Sequence, residues 1–327
     1  MTSQPRTAER ILVTGGAGYI GGIAAHLLLS QGYEVSVIDD CSTGYPEVVP
    51  ANAHFIEGSL QDRKAIQEAL KECTSVLHFA GKSLVAQSVE HPDLYWQVNV
   101  EGSRNLIEEM RDANVHRLVF SSSASIYGQP DMTPISEKTL AHPTSPYGET
   151  KLAVEEMISD AVKAQSLAAI SLRYFNVAGA LRTEDGWIAE RHLPETHLIP
   201  NTLRSTASEP IKIFGSRWNT PDGTCIRDYV HVIDIVKAHF VALKALQPSS
   251  HAIFNLGSGR GYSVREVLHT ASDVLGQPIP HIDVEAREGD PAILIADIAK
   301  AQTELNWLPT RDLRKMIEDC AISMGLI

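Results

Sequence analysis

Hydrophobic and polar positions alternate in two modes along the first half of the chain. Short apolar, β-branched runs recur at Ile11–Val13, Glu34–Asp39, Ala53–Glu57, Ser75–Ala80, Arg117–Ser121 and Ala169–Phe175. Amphipathic stretches separate them at Ile20–Gln31 and near 62–72, 93–113 and 146–164. Runs without strict alternation suit strands buried on both faces, and strand–helix–strand repetition joins such strands by right-handed crossovers. The pattern predicts an α/β fold, a doubly wound parallel sheet. After about residue 180 the rhythm changes. Polar loops lead to a strand at Ile211–Phe214, a helix at Ile235–Leu246 and a strand at Ala252–Leu256 that returns to the sheet. Two more helices and short strands fill 263–327. The expected division is 1–180, with returning segments near 230–258, and a smaller α/β unit, 181–327, interleaved with it.

The turn after the first strand, Thr14-Gly15-Gly16-Ala17-Gly18-Tyr19-Ile20-Gly21, satisfies both GxGxxG and GxxGxxG. One glycine makes the tight turn, one admits a pyrophosphate to the backbone, and one lets helix pack on strand. The free N–H groups of the helix start then face the phosphates. Asp39 closes the second strand 18 residues after Gly21. A carboxylate there accepts from both ribose hydroxyls and repels a 2′-phosphate. The motif therefore points to a Rossmann-like unit holding NAD in preference to NADP.

A second constellation lies downstream. Ser121-Ser122-Ser123 ends a strand at the carboxyl edge of the sheet, where ligands bind in such folds. Ser145 and Pro146 suit the N-cap and first turn of a helix carrying Tyr147 and Lys151 on one face, four residues apart. An ammonium beside a phenol favours the phenolate, and a cationic nicotinamide favours it further. The expected result is a base able to take a proton from an alcohol as hydride leaves.

Composition narrows the choices. The 327 residues are 43% hydrophobic and 21% charged, as in an ordinary globular protein. The formal charge of −12 disfavours a nucleic-acid partner. Cys41, Cys73, Cys225 and Cys320 are scattered, and the thirteen histidines form no compact ligand motif, so no metal is expected. The polar start lacks an apolar leader core and the apolar runs are only strand-length. The expectation is a cytoplasmic protein with no membrane partner.

With these pieces together, the chain resembles the extended short-chain dehydrogenase/reductases. Within them it resembles the UDP-galactose (UDP-glucose) 4-epimerase family. The likeness runs from Ile11 to about Trp307 through VTGGAGYIG, HFAGKSLVAQSV, FSSSASIYG, SPYGETK, LRYFNVAGA, PDGTCIRDYVHV, NLGSG and REGDPA. It implies that Tyr147 takes the proton of the hexose 4-hydroxyl while NAD takes the C4 hydride. The 4-keto sugar turns over, its UDP anchored, and hydride returns to the other face. By the same resemblance Ser123 bonds the sugar O4 and Lys151 holds the nicotinamide ribose. Gly15, Gly18, Tyr19, Ile20 and Gly21 hold the pyrophosphate, and Asp39, Ser42 and Thr43 the adenosine ribose. Phe79, Ala80 and Gly81 form the loop after the fourth strand, with Lys82, Asn99 and Tyr174 as further cofactor contacts. Asn176, Arg227 and Arg287 anchor the diphosphate, Asp290 the uridine ribose, and Phe214 lines the uracil pocket.

The chain departs from the family pattern in three places. His197, before Leu198, stands where many members carry a diphosphate-binding Asn. Ser59, before Leu60, replaces an Asp that faces adenine. Leu294 occupies a position where a large aromatic restricts a 2-acetamido group. UDP-N-acetylglucosamine/UDP-N-acetylgalactosamine epimerisation is one alternative reading. A decarboxylase or dehydratase on the same scaffold is another, but Ser123-Ala124-Ser125 lacks the Asp-Glu pair of the family dehydratases. A homodimer is expected through the helices near 93–113 and 146–164. Leu106, Ile107, Met110, Val154, Met157 and Ile158 are its candidate apolar positions.

Overall fold

The computed structural model describes residues 9–165, 167–287 and 290–327. Glu288 and Gly289 of the REGDPA segment lie outside the described residues. Six strands follow in chain order: β1 (Arg10–Thr14), β2 (Glu34–Asp39), β3 (His54–Glu57), β4 (Cys73–His78), β5 (Arg117–Ser123) and β6 (Ala168–Tyr174). With His251–Leu256 they form one parallel sheet, ordered His251–Leu256, β6, β5, β4, β1, β2, β3. The chain reverses its direction of winding between β1 and β4, so the loops leaving these two strands diverge and open a crevice.

Side chains alternate across each strand and bury both faces. Ile11, Val13, Val119 and Ile170 join one apolar cluster with Ile23 and Leu28 of α1 (Tyr19–Ser30). Leu12, Val76, Leu118 and Phe120 join the other. Leu106, Ile107, Met110, Val154 and Ile158 are buried in that second cluster, with Met157 packed against it. Five of these six residues therefore cover their own sheet, while Met157 stays partly exposed. The apolar stripe of each helix is consumed by the core, which is its first physical requirement.

The expected helix over 93–113 is broken into Pro92–Tyr95, a π-helical stretch Trp96–Glu101, and Gly102–Asp112. The wide turn carries Asn99, which is buried. Its side chain accepts from the Lys82 N–H and donates to Lys82 O and Thr150 Oγ1. Such bulges often mark functional positions. The helix Val232–Ala245 begins three residues before its expected start because His231 caps it, accepting from the Ile233 N–H.

In the second half, Asn176–Ala178, Ile226–His231, Gly261–Ser263 and Ile293–Leu294 form one small sheet. Ile211–Phe214 pairs with His281–Val284. Ile199, Ile213, Tyr229, Val267 and Ile317 build a separate apolar cluster there. The chain nevertheless crosses back, since Leu305 and Trp307 sit in the first cluster of the main sheet, and Trp307 Nε1 donates to Asp234 O.

A buried polar network pins the helix Pro146–Gln165 to the sheet. Arg173 on β6 donates through Nε and Nη2 to Glu155 of that helix, whose side chain is 4% exposed. Ser122 on β5 also donates to Glu155. Arg173 donates to the Tyr127 hydroxyl, which donates to Asn255 Oδ1. Removing one partner of a buried pair leaves an uncompensated charge. Glu155→Ala is therefore expected to lose about 3–5 kcal/mol of unfolding free energy in a urea titration. A loss below about 1 kcal/mol would show that the pair does not hold the helix.

Candidate active site

The glycine loop sits at the point of reversal. Gly15 has φ +72°, and a Cβ on it would lie 2.7 Å from the Ala80 nitrogen, so only glycine allows the loop to touch the exit of β4. A Cβ on Gly21 would lie 2.1 Å from Gly15 O. By contrast, the Cβ position of Gly18 meets only Gly15 O, at 3.3 Å, leaving its other side open for a ligand. This is the division of labour expected of a pyrophosphate loop. Tyr19 Oη donates to Gly179 O, so that side chain braces the helix start rather than reaching a cofactor. Ile20 packs against the core.

Asp39 ends β2 and accepts from the Ala17 and Cys41 N–H groups, one on each carboxylate oxygen, at 2.9 Å. Burial raises its proton affinity and these donors oppose the rise. Each oxygen keeps a lone pair for a ribose hydroxyl. Ser42 and Thr43 are exposed beside it. The residues present therefore fit NAD: an open glycine, a helix N-terminus and a ribose-facing carboxylate. Ser59 makes a local turn, its Oγ accepting from the Gln61 N–H, and Leu60 is buried.

Beyond β4, the Ala80 N–H donates to Thr14 Oγ1, which is 2.7 Å from His78 Nδ1, and His78 Nε2 reaches Ser103. Phe79 packs its ring 4.5 Å from the His239 ring. The Gly81 Cβ position lies 3.0 Å from Asn99 Oδ1 and 3.8 Å from Lys151 Nζ. Asn99 is thus committed to the backbone of Lys82 and to Thr150, so it shapes the loop. Thr14 and His78 were not singled out by sequence reasoning, although both lie inside quoted motifs.

Ser123, Tyr147 and Lys151 are brought together, each buried. Ser123 is close enough to Tyr147 for its hydroxyl to lower the phenol, and its Oγ accepts from the Ser125 N–H. Lys151 Nζ donates to Ser121 O at 2.9 Å and stands 5.8 Å from the Tyr147 ring centre. The ring of Tyr95 meets Tyr147 edge-on at 6.4 Å. Tyr174 bonds Ser121 through its hydroxyl. The electrostatics differ from the expectation of a depressed phenol. Burial raises Tyr147, with the Ser123 hydrogen bond pulling down, and burial lowers Lys151 to about 8. Desolvation dominates both groups, and the Lys151 ammonium is spent on the Ser121 carbonyl.

The second half supplies a polar wall. Asn176, Glu190, His197, Leu198 and Tyr229 line one cleft. His197 Nδ1 is 2.7 Å from Glu195 Oε1. Burial lowers His197, but the Glu195 hydrogen bond and the charges of Glu190 and Glu195 prevail and raise it. Arg227 pairs in register with Leu294, and its Nη2 stands 3.9 Å from Asp290. The Arg287 guanidinium lies 3.8 Å over the Phe214 ring. Cys225 is close enough to feel the charges of Arg227, Asp290 and Arg287. Arg227, Arg287, Asp290, Phe214 and Leu294 therefore form one neighbourhood from segments far apart in sequence.

The fold and the Ser–Tyr–Lys cluster define a nucleotide-dependent α/β enzyme. Residues 11–257 match the NAD dependent epimerase/dehydratase family, and the chain belongs to it. A UDP-glucose 4-epimerase from Corynebacterium glutamicum is 48% identical over 95% of this chain and 94% of its own length. The crystal structure of UDP-glucose 4-epimerase from Brucella ovis in complex with NAD superposes with a TM-score of 0.92 and 38% identity, covering 97% of this chain and 99% of that one. That of Bifidobacterium longum UDP-glucose 4-epimerase with NAD+ and UDP gives 0.89 and 32%, covering 97% and 98%.

Buried histidines give this site a pH signature. Burial lowers His78 to about 3, with Lys151 adding to the effect, and lowers His231 and His239 to about 4. The unfolded chain binds these protons first, so their stabilisation is complete above about pH 6.5 and is lost as pH falls toward the folded values. His197, raised, works in the opposite sense. Each lowered histidine contributes a slope of up to about 1.4 kcal/mol per pH unit. Denaturant unfolding is expected to show lower stability at pH 5 than at pH 7. A flat profile would contradict the burial of these rings.

Proposed function

We infer that this chain is an NAD-dependent UDP-glucose 4-epimerase that interconverts UDP-glucose and UDP-galactose through a 4-keto intermediate. The observation that carries the reading is the convergence of buried Ser123, Tyr147 and Lys151 at the carboxyl end of β5, next to the glycine loop. Relatives of that name across nearly the whole chain support it.

Bound NAD supplies a reversible hydride acceptor and, through its cationic ring, a charge that favours the phenolate. Gly15, Gly18 and Gly21 hold its pyrophosphate, Asp39 its adenosine ribose, and Lys151 its nicotinamide ribose. Ser42, Thr43 and the 79–82 loop border it. Tyr147 takes the proton of the 4-hydroxyl and later returns it, while Ser123 holds O4 and completes the hydrogen-bonded path. The ketone formed at C4 must present both faces, so the sugar is held weakly and the diphosphate strongly. Arg227 and Arg287 offer planar donors for two phosphates and answer how a chain of net charge −12 retains an anion. Asn176 and His197 add donors, Asp290 accepts from the uridine ribose, and Phe214 lies along the base. On this reading 1–180, with the returning segments near 230–258, carries NAD and 181–327 carries the UDP-sugar.

No described helix is long and apolar enough to cross a membrane, and all four cysteines are free. Both features support a cytoplasmic enzyme. We also propose a homodimer. With the core-facing residues excluded, the apolar candidates are Val85 and Val89, four apart on the helix Val85–Glu90, and Trp96, all exposed.

Purified protein is expected to convert UDP-galactose to UDP-glucose with no NAD added, and Tyr147→Phe to slow conversion by about 10²–10⁴-fold. Absence of conversion even with NAD supplied would overturn the reading. Light scattering at micromolar concentration is expected to give twice the 35.7 kDa chain mass. A monomer would refute the dimer.

A further inference from the structure

We propose that Glu190, His192 and His197 form a transition-metal site of the zinc type on the wall of the cleft that also contains Asn176 and Leu198. Among the described residues this is the group of three histidine and carboxylate side chains whose donor atoms converge, all within 4.8 Å of one another. The sequence did not expose it. The three residues are spaced 190, 192 and 197, and a loop folds them onto one another before the helix Leu198–Arg204.

Four observations point to a cation. First, His192 Nδ1 is buried and stands 2.5 Å from Glu190 Oε1, yet makes no hydrogen bond. Second, His197 gives Nδ1 to Glu195 Oε1, which leaves Nε2 as the ligand atom, so an ion there would take the place of the direct His197 donor to the diphosphate. A carboxylate behind a histidine is the usual support of a metal-bound imidazole. Third, the Glu195 side chain is 4% exposed and its Oε2 has no hydrogen-bond partner, with Arg204 4.0 Å away. The two carboxylates would neutralise a dication held by two neutral imidazoles. Fourth, backbone N–H groups already orient both carboxylates, from Arg191 and His192 to Glu190, and from Thr196 and His197 to Glu195.

Two imidazoles and a carboxylate select zinc over magnesium or calcium, and three protein ligands leave a fourth position open. Glu190 and His197 line the cleft, so that position admits water or an anionic oxygen from it. Tetrahedral bonds of about 2.0–2.1 Å require donor atoms about 3.4 Å apart, so the 2.5 Å Glu190–His192 pair opens and the wider pairs close when the ion enters.

The test is equilibrium dialysis of the NAD-loaded protein against micromolar zinc chloride, with bound metal measured by mass spectrometry. One zinc per chain is expected, with affinity falling at least 10-fold in His192→Ala and in Glu190→Gln. Circular dichroism confirms that each variant is folded, and either one carries the test if the other is not. The four cysteines are common to all three proteins and cancel in the comparison. No stoichiometric zinc, or zinc bound equally by the parent and a folded variant, would overturn the site.

Discussion

The helix that bears Tyr147 and Lys151 is only as well placed as the ion pair beneath it. Glu155 lies one turn beyond Lys151 on the same helix and is gripped by Arg173 from β6 and Ser122 from β5. Ser122 adjoins Ser123, and Arg173 adjoins Tyr174. The network therefore references the helix bearing Tyr147 and Lys151 to the two strands whose ends complete the site. Its cost is a buried arginine and glutamate, tolerable only because the other lone pairs and protons are satisfied by Ser122, Tyr127 and Asn255. Glu155 also acts electrostatically, since its charge partly offsets the desolvation of Lys151.

Desolvation explains why the site behaves differently from the simple picture of a lysine lowering a phenol. Both side chains lie beneath the sheet edge, where water cannot solvate a phenolate or an ammonium. Burial raises the one and lowers the other, so the neutral phenol is the resting form of the chain itself. The base strength demanded by the reaction must then be generated with the cofactor's positive charge in place. Proton abstraction is thereby coupled to the presence of the hydride acceptor, and an unproductive ionisation is suppressed.

Most of the sheet was legible because parallel strands are written as uninterrupted apolar runs, and the glycine loop because only glycine permits its contacts. The expected ranges of β2 and Ile211–Phe214 match the structure, and Tyr147 with Lys151 follows from helical spacing. What stayed hidden depends on contacts between distant segments. The π-turn at Asn99 answers the loop at Lys82 and the helix at Thr150, 51 residues away. The burial of Leu106, Met110 and Val154 was ambiguous, because an apolar stripe does not say whether a sheet or a second subunit covers it. The neighbourhood of Arg227, Leu294 and Asp290 exists only after Ile226–His231 and Ile293–Leu294 pair in parallel. Sequence likeness located those residues without explaining why they meet.

The interleaved course of the chain bears on the chemistry. A sugar that must turn over during the reaction cannot be gripped where it reacts, so binding energy has to be applied at a distance from C4. Tyr147 and the glycine loop stand at the edge of the parallel sheet, while Arg227 stands on a strand of the smaller sheet and Arg287 on the segment that follows His281–Val284. Those two regions are not tethered by a flexible link. Asn176–Ala178 leaves β6 directly and pairs with Ile226–His231, which then runs into the helix packed on the main sheet. Trp307 and Leu305 stitch the far end of the chain into the same core. The distance between Arg227 and the Tyr147 phenol is therefore set by continuous, buried backbone. On the proposed roles, a fixed anchor at Arg227 and a fixed base at Tyr147 let one face of a 4-keto sugar be exchanged for the other without release.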